Sequence, residues 1–545
     1  MKSAKFWLLA ILLSLPAFGL MLKSGIYTMH DPHLFRIQQF DACFNSGAFP
    51  CRWAGESGKG FGEPLFNFYA QFPYWLTQGF RLLGMSLIDS AKSVYILSLV
   101  VSAVAMYFLS RRFFGSYGGI LSAVFYVFAP YRAVDIWVRG ALPESLAFVF
   151  FPLLLLFLDD YLVTKKTKPL ILFSFSLALL MTTHNLSFLM FSPFLFVFWF
   201  FRSLKLKTFK NLQGLIPASV FALLLSAYYL LPVSFENDLV TIEDTISGYY
   251  DYRIHYATLR ELFISRFWGY GASLWAQKFL SISVGQIHWI LPLLISLLLL
   301  FRRLRAKIDY LLFFQFFFLG LGALFLTHGK SSLIWNSLSV MKYIQFPWRF
   351  LTVGVFFLSL SVGAFSQMVL PRFRVLIPVV MVLAVLTNVS FFRPDIWRNI
   401  SDSDLISGPL WDEGRSSSLT DFWPKSAPKP PVVFAGIEPE FVSGSGSMIT
   451  ADKKTGLFTY TLSLDSKSYI RFPVVYFPGW VGTDNNKRLA IAPSGDNGLV
   501  TAELNPGEHF IVLKFTNTPI RDWGNIISLL ALASTPLWFL KKSIG

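Results

Sequence analysis

Residues 29–76 read MHDPHLFRIQQFDACFNSGAFPCRWAGESGKGFGEPLFNFYAQFPYWL and form a polar segment between long apolar runs. The segment follows the first apolar run of the chain closely and is not itself a membrane span. It contains both cysteines of the protein. Its titratable side chains include His30, Asp31, His33, Arg36, Asp41, Arg52, Glu56 and Glu63. A loop so rich in titratable groups, beside membrane-spanning helices, is where we look for a functional site.

The composition indicates an integral membrane protein. The chain is 54% hydrophobic and only 14% charged, whereas soluble domains carry about 25% charged residues. Apolar runs of roughly 17–25 residues, long enough to cross a bilayer as helices, recur along the chain. We predict a polytopic α-helical membrane protein with about 12 spans. They are 6–22, 92–110, 117–131, 144–160, 169–183, 186–201, 212–232, 281–301, 309–327, 350–370, 375–392 and 522–540.

The net charge of +16 reports topology rather than nucleic-acid binding, which we do not expect. Lys and Arg cluster in short connections between spans, as the positive-inside bias produces on the cytoplasmic side. These clusters are at 111–112, 165–168, 202–210, 302–307, 372–374 and 541–542. The assignment predicts a multi-pass protein of the bacterial cytoplasmic membrane with both termini cytoplasmic. We interpret residues 6–22 as an uncleaved span rather than a signal peptide, because no small-x-small cleavage site follows.

The long loops then fall on the outer side, and they divide the chain into three parts. Residues 1–392 form the transmembrane domain, with outer loop 23–91. Residues 393–521 form a linker and an extracytoplasmic β-sandwich-like domain, because short alternating runs such as LFTYTLSL at 457–464 are separated by turn residues. Residues 522–545 form the final span and a cytoplasmic tail.

Cys43 and Cys51 lie close together in the first outer loop, where an oxidising compartment permits a disulfide. We predict that bridge; the alternative is two free thiols. A zinc site with His30 and His33 lacks the Cys-x-x-Cys spacing typical of such sites. A divalent metal is therefore not supported by the sequence.

Asp31 is the candidate general base. It lies in the motif His-Asp-Pro-His, roughly nine residues after the first span, where a low-dielectric wall would tune its pKa. The alternative is that Asp31 caps a helix that starts at Pro32. His33 and Arg36 follow within the next turns, and each would orient Asp31, contact a substrate or be solvated.

Other polar groups lie at the ends of the predicted spans. Glu63, in a glycine-bracketed turn, would bind sugar hydroxyls or a cation, or pair with Arg52 or Lys59. In the second outer loop, Arg139 would bind a lipid phosphate, and Glu144 is a further candidate for substrate binding. The alternative there is a pair of structural ion pairs, Arg139–Glu144 and Arg132–Asp135.

Four more candidates are cationic or imidazole groups at the outer ends of the spans. His184 ends the fifth span, and His328 with Lys330 ends the ninth. Arg349 in Gln-Phe-Pro-Trp-Arg opens the tenth span, where it would anchor the helix by snorkelling or hold a lipid phosphate.

Together these motifs resemble a family. Asp31 after the first span, GFGEPLFNFY at 60–69, RGALPE at 139–144 and IQFPWRF at 344–350 are similar to bacterial "6-pyruvoyl-tetrahydropterin synthase-related" membrane proteins. That family resembles the C-type glycosyltransferases in fold. TDFWPK at 420–425 and VVYFPGW at 474–480 are similar to the domain after the bundle in related lipoteichoic-acid glycosylating proteins.

The resemblance implies a glycosyltransferase that takes a sugar from a polyprenyl-phosphate donor in the bilayer and gives it to an outer acceptor glycan or lipid. An acidic residue of the first outer loop is the base in that superfamily, and this residue corresponds to Asp31. The motif His-Asp-Pro-His is not an Asp-x-Asp pair, so the resemblance does not support metal dependence. The alternatives are a transporter or flippase of lipid-linked sugars and a non-catalytic scaffold of envelope assembly.

Overall fold

The computed structural model describes residues 4–274, 277–300, 308–417 and 422–540. The basic clusters predicted at 302–307 and 541–542 and the first two residues of the TDFWPK motif lie outside these ranges. The α-helices of the first half are Ala4–Phe18, His33–Asn45, Leu65–Phe68, Phe72–Leu82, Leu87–Val127, Pro130–Ala133, Leu142–Thr164, Thr167–Thr183, Asn185–Leu206, Leu212–Leu225, Ala227–Phe235 and Leu259–Phe263. Those of the second half are Gln286–Leu298, Tyr310–Leu326, Ser332–Ser337, Leu351–Val362, Phe365–Met368, Leu376–Asn388, Pro409–Ser416 and Pro519–Leu540.

The membrane character of the chain is confirmed. Among the described residues, five helices are long and apolar enough to cross a bilayer, or six if a bent pair counts as one span. The five are Leu87–Val127, Leu142–Thr164, Asn185–Leu206, Pro347–Met368 and Pro371–Phe391. Several other apolar helices are shorter than 18 residues. The total of twelve spans and their orientation therefore stay predictions.

The helical stretch Leu87–Val127 is two helices joined at Gly115, which has a left-handed φ of 74°. The hydroxyl oxygens of Ser110 and Ser122 lie 2.8 Å apart. Twelve residues of one straight helix would separate them by about 18 Å. The chain therefore folds back at Gly115, as expected for the separate spans predicted at 92–110 and 117–131.

The span predicted at 212–232 is not continuous. Helices Phe209–Leu225 and Ala227–Phe235 meet at an angle of 76°. Pro232 has no N–H to donate to the carbonyl of Tyr228 four residues earlier. Arg52 Nη2 donates to that carbonyl at 3.0 Å instead, and the Tyr228 N–H donates to Ser528 Oγ at 2.8 Å. The bend is thus stabilised by side chains from the first loop and the last helix.

The C-terminal region contains the predicted β sandwich. Its strands are β5 (Glu440–Ser443), β6 (Gly446–Lys454), β7 (Leu457–Leu464), β8 (Ser468–Val475), β9 (Trp480–Asp484), β10 (Lys487–Leu489), β11 (Ala492–Ser494), β12 (Leu499–Leu504) and β13 (Gly507–Phe515). They form antiparallel sheets in the orders β10-β9-β13-β7-β6 and β11-β12-β8-β5. Alternate residues of β7 are buried, as period-two patterning predicts.

Two short ribbons connect other segments of the chain. Strand β1 (Ile26–Tyr27) pairs with β4 (Trp397–Arg398), and β2 (Tyr270–Leu274) pairs with β3 (Gln277–Leu280). The β1–β4 ribbon joins the start of the first loop to the linker before the sandwich. Both ribbons also contribute residues to the cavity described below.

The loop predicted on the outer side at 23–91 packs against the sandwich. Trp53 lies with its ring centroid 5.2 Å from that of Trp480, and the Val475 N–H donates to the Phe61 carbonyl at 2.9 Å. Gly62 has φ of 80°, and a Cβ there would lie 2.6 Å from the Trp53 indole nitrogen. The glycine-bracketed turn therefore serves to attach the sandwich to the helical bundle.

The predicted disulfide is not formed. Cys43 and Cys51 are free, buried thiols. The Cys51 Sγ points toward the backbone carbonyl of Phe40, 3.8 Å away. Burial and the neighbouring Cys43 thiol raise the pKa of the Cys51 thiol, which disfavours the thiolate that disulfide chemistry requires.

Candidate active site

A cavity of about 1240 Å³ lies at one end of the helical bundle, bordered by the loops predicted on the outer side. Its wall combines apolar residues with charged ones. The charged or imidazole side chains are His30, Asp31, Arg36, Arg139, His184, Asp238, Glu243, Lys342, Arg349, Arg398 and Glu413. Five of the predicted site residues, Asp31, Arg36, Arg139, His184 and Arg349, are thus brought together from distant parts of the sequence.

Asp31 is held at the cavity wall by a backbone hydrogen bond and by the contacts of its carboxylate with Arg139 and His33. Its N–H donates to the Arg139 carbonyl at 2.9 Å, and its side chain is 35% exposed. Its Oδ2 lies 3.8 Å from Arg139 Nη2 and 3.7 Å from His33 Nε2. Burial acts to raise the pKa of Asp31, but His33 and Arg139 outweigh it and hold the pKa below the ordinary range. The helix begins at His33 with Pro32 as its N-cap, so Asp31 is not the capping residue.

Arg139 ends a π-helical turn, Val134–Arg139, between two spans. Its Nη1 lies 2.7 Å from both Asp135 Oδ1 and Glu144 Oε2. The predicted Arg139–Glu144 pair is therefore present, whereas Asp135 pairs with Arg139. Burial, together with the charge of Glu144, raises the pKa of Asp135. Arg132 donates instead to Ser102 Oγ at 3.1 Å.

Glu144 lies behind the cavity wall with only 1% of its side chain exposed. Its Oε1 accepts a hydrogen bond from Tyr131 at 2.6 Å and lies 3.1 Å from the Thr352 hydroxyl, whose single proton is shared with the Arg349 carbonyl at 2.5 Å. Its Oε2 lies 3.6 Å from Arg349 Nε, in addition to its contact with Arg139. In the described structure Glu144 does not line the cavity, and its acceptors are turned to protein donors, so the predicted substrate contact stays a prediction.

His33 and Arg36 have different positions although they share one helix. His33 is buried, and its Nδ1 lies 2.9 Å from the Tyr74 hydroxyl, so it supports Asp31 from behind. Burial lowers the pKa of His33, which favours the neutral imidazole. Arg36 lines the cavity, with its guanidinium 4.4 Å from the ring centroid of Tyr69.

His184 lines the cavity at the junction of helices Thr167–Thr183 and Asn185–Leu206. Its Nδ1 accepts the Ser187 N–H at 3.3 Å and caps the second helix. Burial lowers the pKa of His184. The side chain therefore presents a neutral imidazole, whose proton belongs on Nε2 because Nδ1 accepts.

Glu63, His328 and Lys330 are not part of the cavity wall as the described residues form it. Glu63 is buried in a β-bridge with Ala54, in the turn that attaches the sandwich. His328 accepts the Lys330 N–H at 3.1 Å and caps a short 3-10 turn, and Lys330 is exposed. The described structure does not bring these three residues to the cavity, and their predicted substrate contacts stay predictions.

Sequence reasoning missed Tyr131, Thr352 and Lys342. The first two donate to Glu144, and Lys342 lines the cavity. A signal for Thr352 was present: it follows Arg349 by three residues at a helix start, so both lie on one face. Within the described ranges, no cluster of three His, Cys, Asp or Glu side chains is arranged to hold a metal ion.

The fold and the charged cavity together define a polytopic membrane protein with a C-terminal β domain. The chain belongs to the family described as "6-pyruvoyl-tetrahydropterin synthase related domain; membrane protein", whose model matches residues 66–393. This confirms the predicted family. Arg139, Glu144, His184 and Arg349 lie within the matched range, and Asp31 precedes it.

Two solved structures are similar to this chain at low identity. One is the arabinofuranosyltransferase AftD from Mycobacteria, with 13% identity, a TM-score of 0.42, and coverage of 73% of this chain and 27% of AftD. The other is ArnT from Cupriavidus metallidurans bound to undecaprenyl phosphate, with 14% identity, a TM-score of 0.37, and coverage of 70% of this chain and 63% of ArnT. The chain thus spans about a quarter of AftD and less than two thirds of ArnT. No curated protein sequence matches it.

Proposed function

We propose that this protein is a membrane glycosyltransferase of the C type. It would transfer a sugar from a polyprenyl-phosphate donor to an acceptor glycan or lipid at the outer face of the bacterial cytoplasmic membrane, with Asp31 as general base. One observation carries the proposal: a carboxylate and two buried arginines, Arg139 and Arg349, line the same large cavity of a membrane protein. The resemblance of the sequence motifs implies the same chemistry.

The composition of the cavity wall suits a lipid-linked sugar. Apolar residues such as Leu186, Leu189 and Val233 line it together with the charged groups. At about 1240 Å³ it is larger than the 300–1,000 Å³ typical of drug-sized ligands. A donor that has an apolar tail, a phosphate and a sugar matches the apolar lining, the charged groups and the size of this cavity. Guanidinium groups are well suited to bind the phosphate.

The proposed reaction forms one glycosidic bond and breaks one. The acceptor hydroxyl oxygen attacks the anomeric carbon, and its proton passes to the Asp31 carboxylate. The bond from the anomeric carbon to the phosphate oxygen breaks, and the lipid phosphate leaves with the bonding electrons. Arg139 and Arg349 would stabilise the charge that develops on that phosphate, an effect that is strong in a site excluded from water.

The proposed orientation is supported by the two ends of helix Leu142–Thr164. Glu144 lies beside the cavity, and Asp159 binds Arg202 with Nε to Oδ1 at 2.6 Å. Fifteen helical residues separate the two carboxylates by about 22 Å. A basic cluster and the cavity thus lie at opposite ends of one span, as the positive-inside bias requires if the cavity faces outward.

The experiment is to reconstitute the full chain in liposomes with a panel of undecaprenyl-phosphate pentoses and hexoses and a cell-envelope extract as acceptor. Release of undecaprenyl phosphate reports transfer whatever the sugar is. We expect release with at least one donor, dependent on both protein and extract. Movement of an intact donor across the bilayer without release would instead show a transporter. Neither release nor movement with any donor would contradict the proposal and favour a scaffold.

A further inference from the structure

Glu144 is shared by two arginines. Arg139 Nη1 and Arg349 Nε lie 2.7 Å and 3.6 Å from the same oxygen, Oε2. Those two nitrogens are therefore at most 6.3 Å apart, the sum of the two distances. Two guanidinium charges so close repel each other unless an anion lies between them. The buried carboxylate supplies that anion.

The other oxygen of Glu144 fixes the carboxylate itself. Oε1 accepts from the Tyr131 hydroxyl and lies 3.1 Å from the Thr352 hydroxyl, which also donates to the Arg349 carbonyl. These donors come from two different elements, the turn at Pro130–Ala133 and the helix Leu351–Val362. Glu144, on a third helix, therefore cannot rotate without losing hydrogen bonds to both neighbours. Such buried networks hold their members in one arrangement.

Aromatic rings fix the planes of the two guanidinium groups. Arg139 lies 5.0 Å from the ring centroid of Trp348, and Arg349 lies 4.9 Å from that of Phe346. The two rings are themselves stacked, with centroids 5.0 Å apart. Arg349 Nη1 is engaged by the Ile344 carbonyl and Gln345 Oε1, each at 2.9 Å. Arg139 Nη2 lies 3.8 Å from Asp31 Oδ2, and both arginine side chains line the cavity.

We propose that Glu144 is a positioning residue that holds Arg139 and Arg349 as a preformed receptor for one phosphate group. The inference rests on the proposed function and extends it, because it assigns the phosphate-binding step to a geometry set from behind the wall. Glu144 itself does not touch the substrate. A receptor of two guanidinium groups takes a phosphate through at least two of its oxygens.

Removal of the charge of Glu144 separates positioning from simple electrostatics, because the two effects have opposite signs. Glu144→Gln makes the cavity more positive, so electrostatic attraction alone predicts tighter phosphate binding. If Glu144 positions the arginines, the same variant lets them move apart and weakens binding. A misplacement of about 1 Å can cost a hundredfold in a site that depends on orientation.

The test is equilibrium binding of radiolabelled undecaprenyl phosphate to the purified full chain in nanodiscs. We expect Glu144→Gln to bind at least about tenfold more weakly, with partial recovery in Glu144→Asp. Thr352→Val and Tyr131→Phe each remove one hydrogen bond to Glu144 and should weaken binding less. The matched control is Glu440→Gln, an exposed carboxylate of β5 that pairs with Arg471 away from the cavity, which should bind as the wild type does. Competition by inorganic phosphate shows whether the phosphate alone or the lipid is recognised.

The outcomes are distinguishable. Equal or tighter binding by folded Glu144→Gln would overturn the positioning role while leaving the proposed function intact. A lower melting temperature with unchanged affinity would also overturn it, because that is the result of a merely structural role. If Glu144→Gln does not fold, unchanged binding in both Thr352→Val and Tyr131→Phe would overturn it. If the wild type binds no undecaprenyl phosphate, the proposed function itself fails.

Discussion

Two buried glutamates of this protein lie among arginines, and their surroundings differ. Glu144 holds Arg139 and Arg349 at the cavity wall. Glu236 accepts from Arg521 Nε at 2.9 Å and from Asn67 at 2.7 Å, and Asn67 in turn accepts from Arg52 at 3.2 Å. The second cluster joins the first loop, the bent helix pair and the last helix below the sandwich.

The difference is where the remaining donors point. Arg52 also donates to the Tyr228 carbonyl and to Asn525, and Arg521 donates to the Thr516 carbonyl. Neither arginine is among the described residues that line the cavity, whereas Arg139 and Arg349 both do. The same ion-pair chemistry therefore attaches domains where the donors are used within the protein. Where the donors face a cavity, as in the Glu144 cluster, they are available to bind a ligand.

The largest effect on activity is expected at Asp31, which belongs to the Glu144 cluster at the cavity and not to the Glu236 cluster. Asp31→Asn should lower kcat by about 10²–10⁴-fold, the usual contribution of a general base, and the protein should stay folded with a lower melting temperature, because the ion pair of Asp31 with Arg139 is lost. The measurement is undecaprenyl phosphate release at saturating donor. Asp238→Asn, another carboxylate of the cavity, is the control and should keep wild-type activity. Wild-type activity in Asp31→Asn would show that Asp31 is not the general base.

The Glu236 cluster should respond in the opposite way, with a change in stability and none in activity. Arg521→Met leaves the buried Glu236 without its charge partner and should cost about 3–5 kcal/mol of stability. The folded fraction should retain wild-type release activity, because the cluster is not part of the cavity wall. Melting temperature and activity per folded molecule are measured on one preparation. Loss of activity in the folded fraction would show that the two clusters are not separate in function.

A smaller effect is expected when the charge of Arg349 is kept and its planar fork is lost. Arg349→Lys should raise the KM for the donor by roughly tenfold, because lysine lacks the two-pronged geometry and the stacking on Phe346. The change in kcat should be smaller. Arg398→Lys is the control, because Arg398 lines the cavity but is exposed. An equal rise in KM for both variants would mean that only the general positive charge of the cavity matters.

The smallest effect is a shift in pH dependence. The pKa of Asp31 is lowered in the folded protein, so the active carboxylate persists as pH falls and is lost only below the ordinary range. Wild-type kcat/KM should therefore show no acid limb from Asp31 above about pH 4. In His33→Phe, a group that lowers this pKa is removed, so the limb should move to higher pH. Tyr74→Phe keeps the His33 imidazole and should shift the acid limb less. Equal pH profiles for His33→Phe and wild type would contradict the contact between His33 and Asp31.

Much of the fold was predictable because it depends on local patterns. Apolar run length predicted the helices, and period-two alternation in 457–464 predicted the sandwich. The bend after Leu225 was not predicted, because it depends on Arg52 and Ser528, which are distant in sequence. The absence of the disulfide was not predictable either, because spacing alone does not show how two side chains are oriented.

The site was predictable only in part. Charged residues at span ends are costly unless they are paired or functional, and this correctly brought Asp31, Arg139 and Arg349 into consideration. The same rule selected Glu63, His328 and Lys330, which the fold directs elsewhere. It also selected Glu144, although the hydroxyls of Tyr131 and Thr352, which lie within apolar sequence, contact its carboxylate behind the cavity wall.

The central claim is that the cavity receives a lipid phosphate between Arg139 and Arg349, facing Asp31. A cryo-EM structure of the full chain in nanodiscs containing undecaprenyl phosphate tests it most directly. The account predicts phosphate density within hydrogen-bonding distance of both guanidinium groups. Phosphate density bound elsewhere, for example beside Lys330, with both arginines turned away from it, would contradict the account.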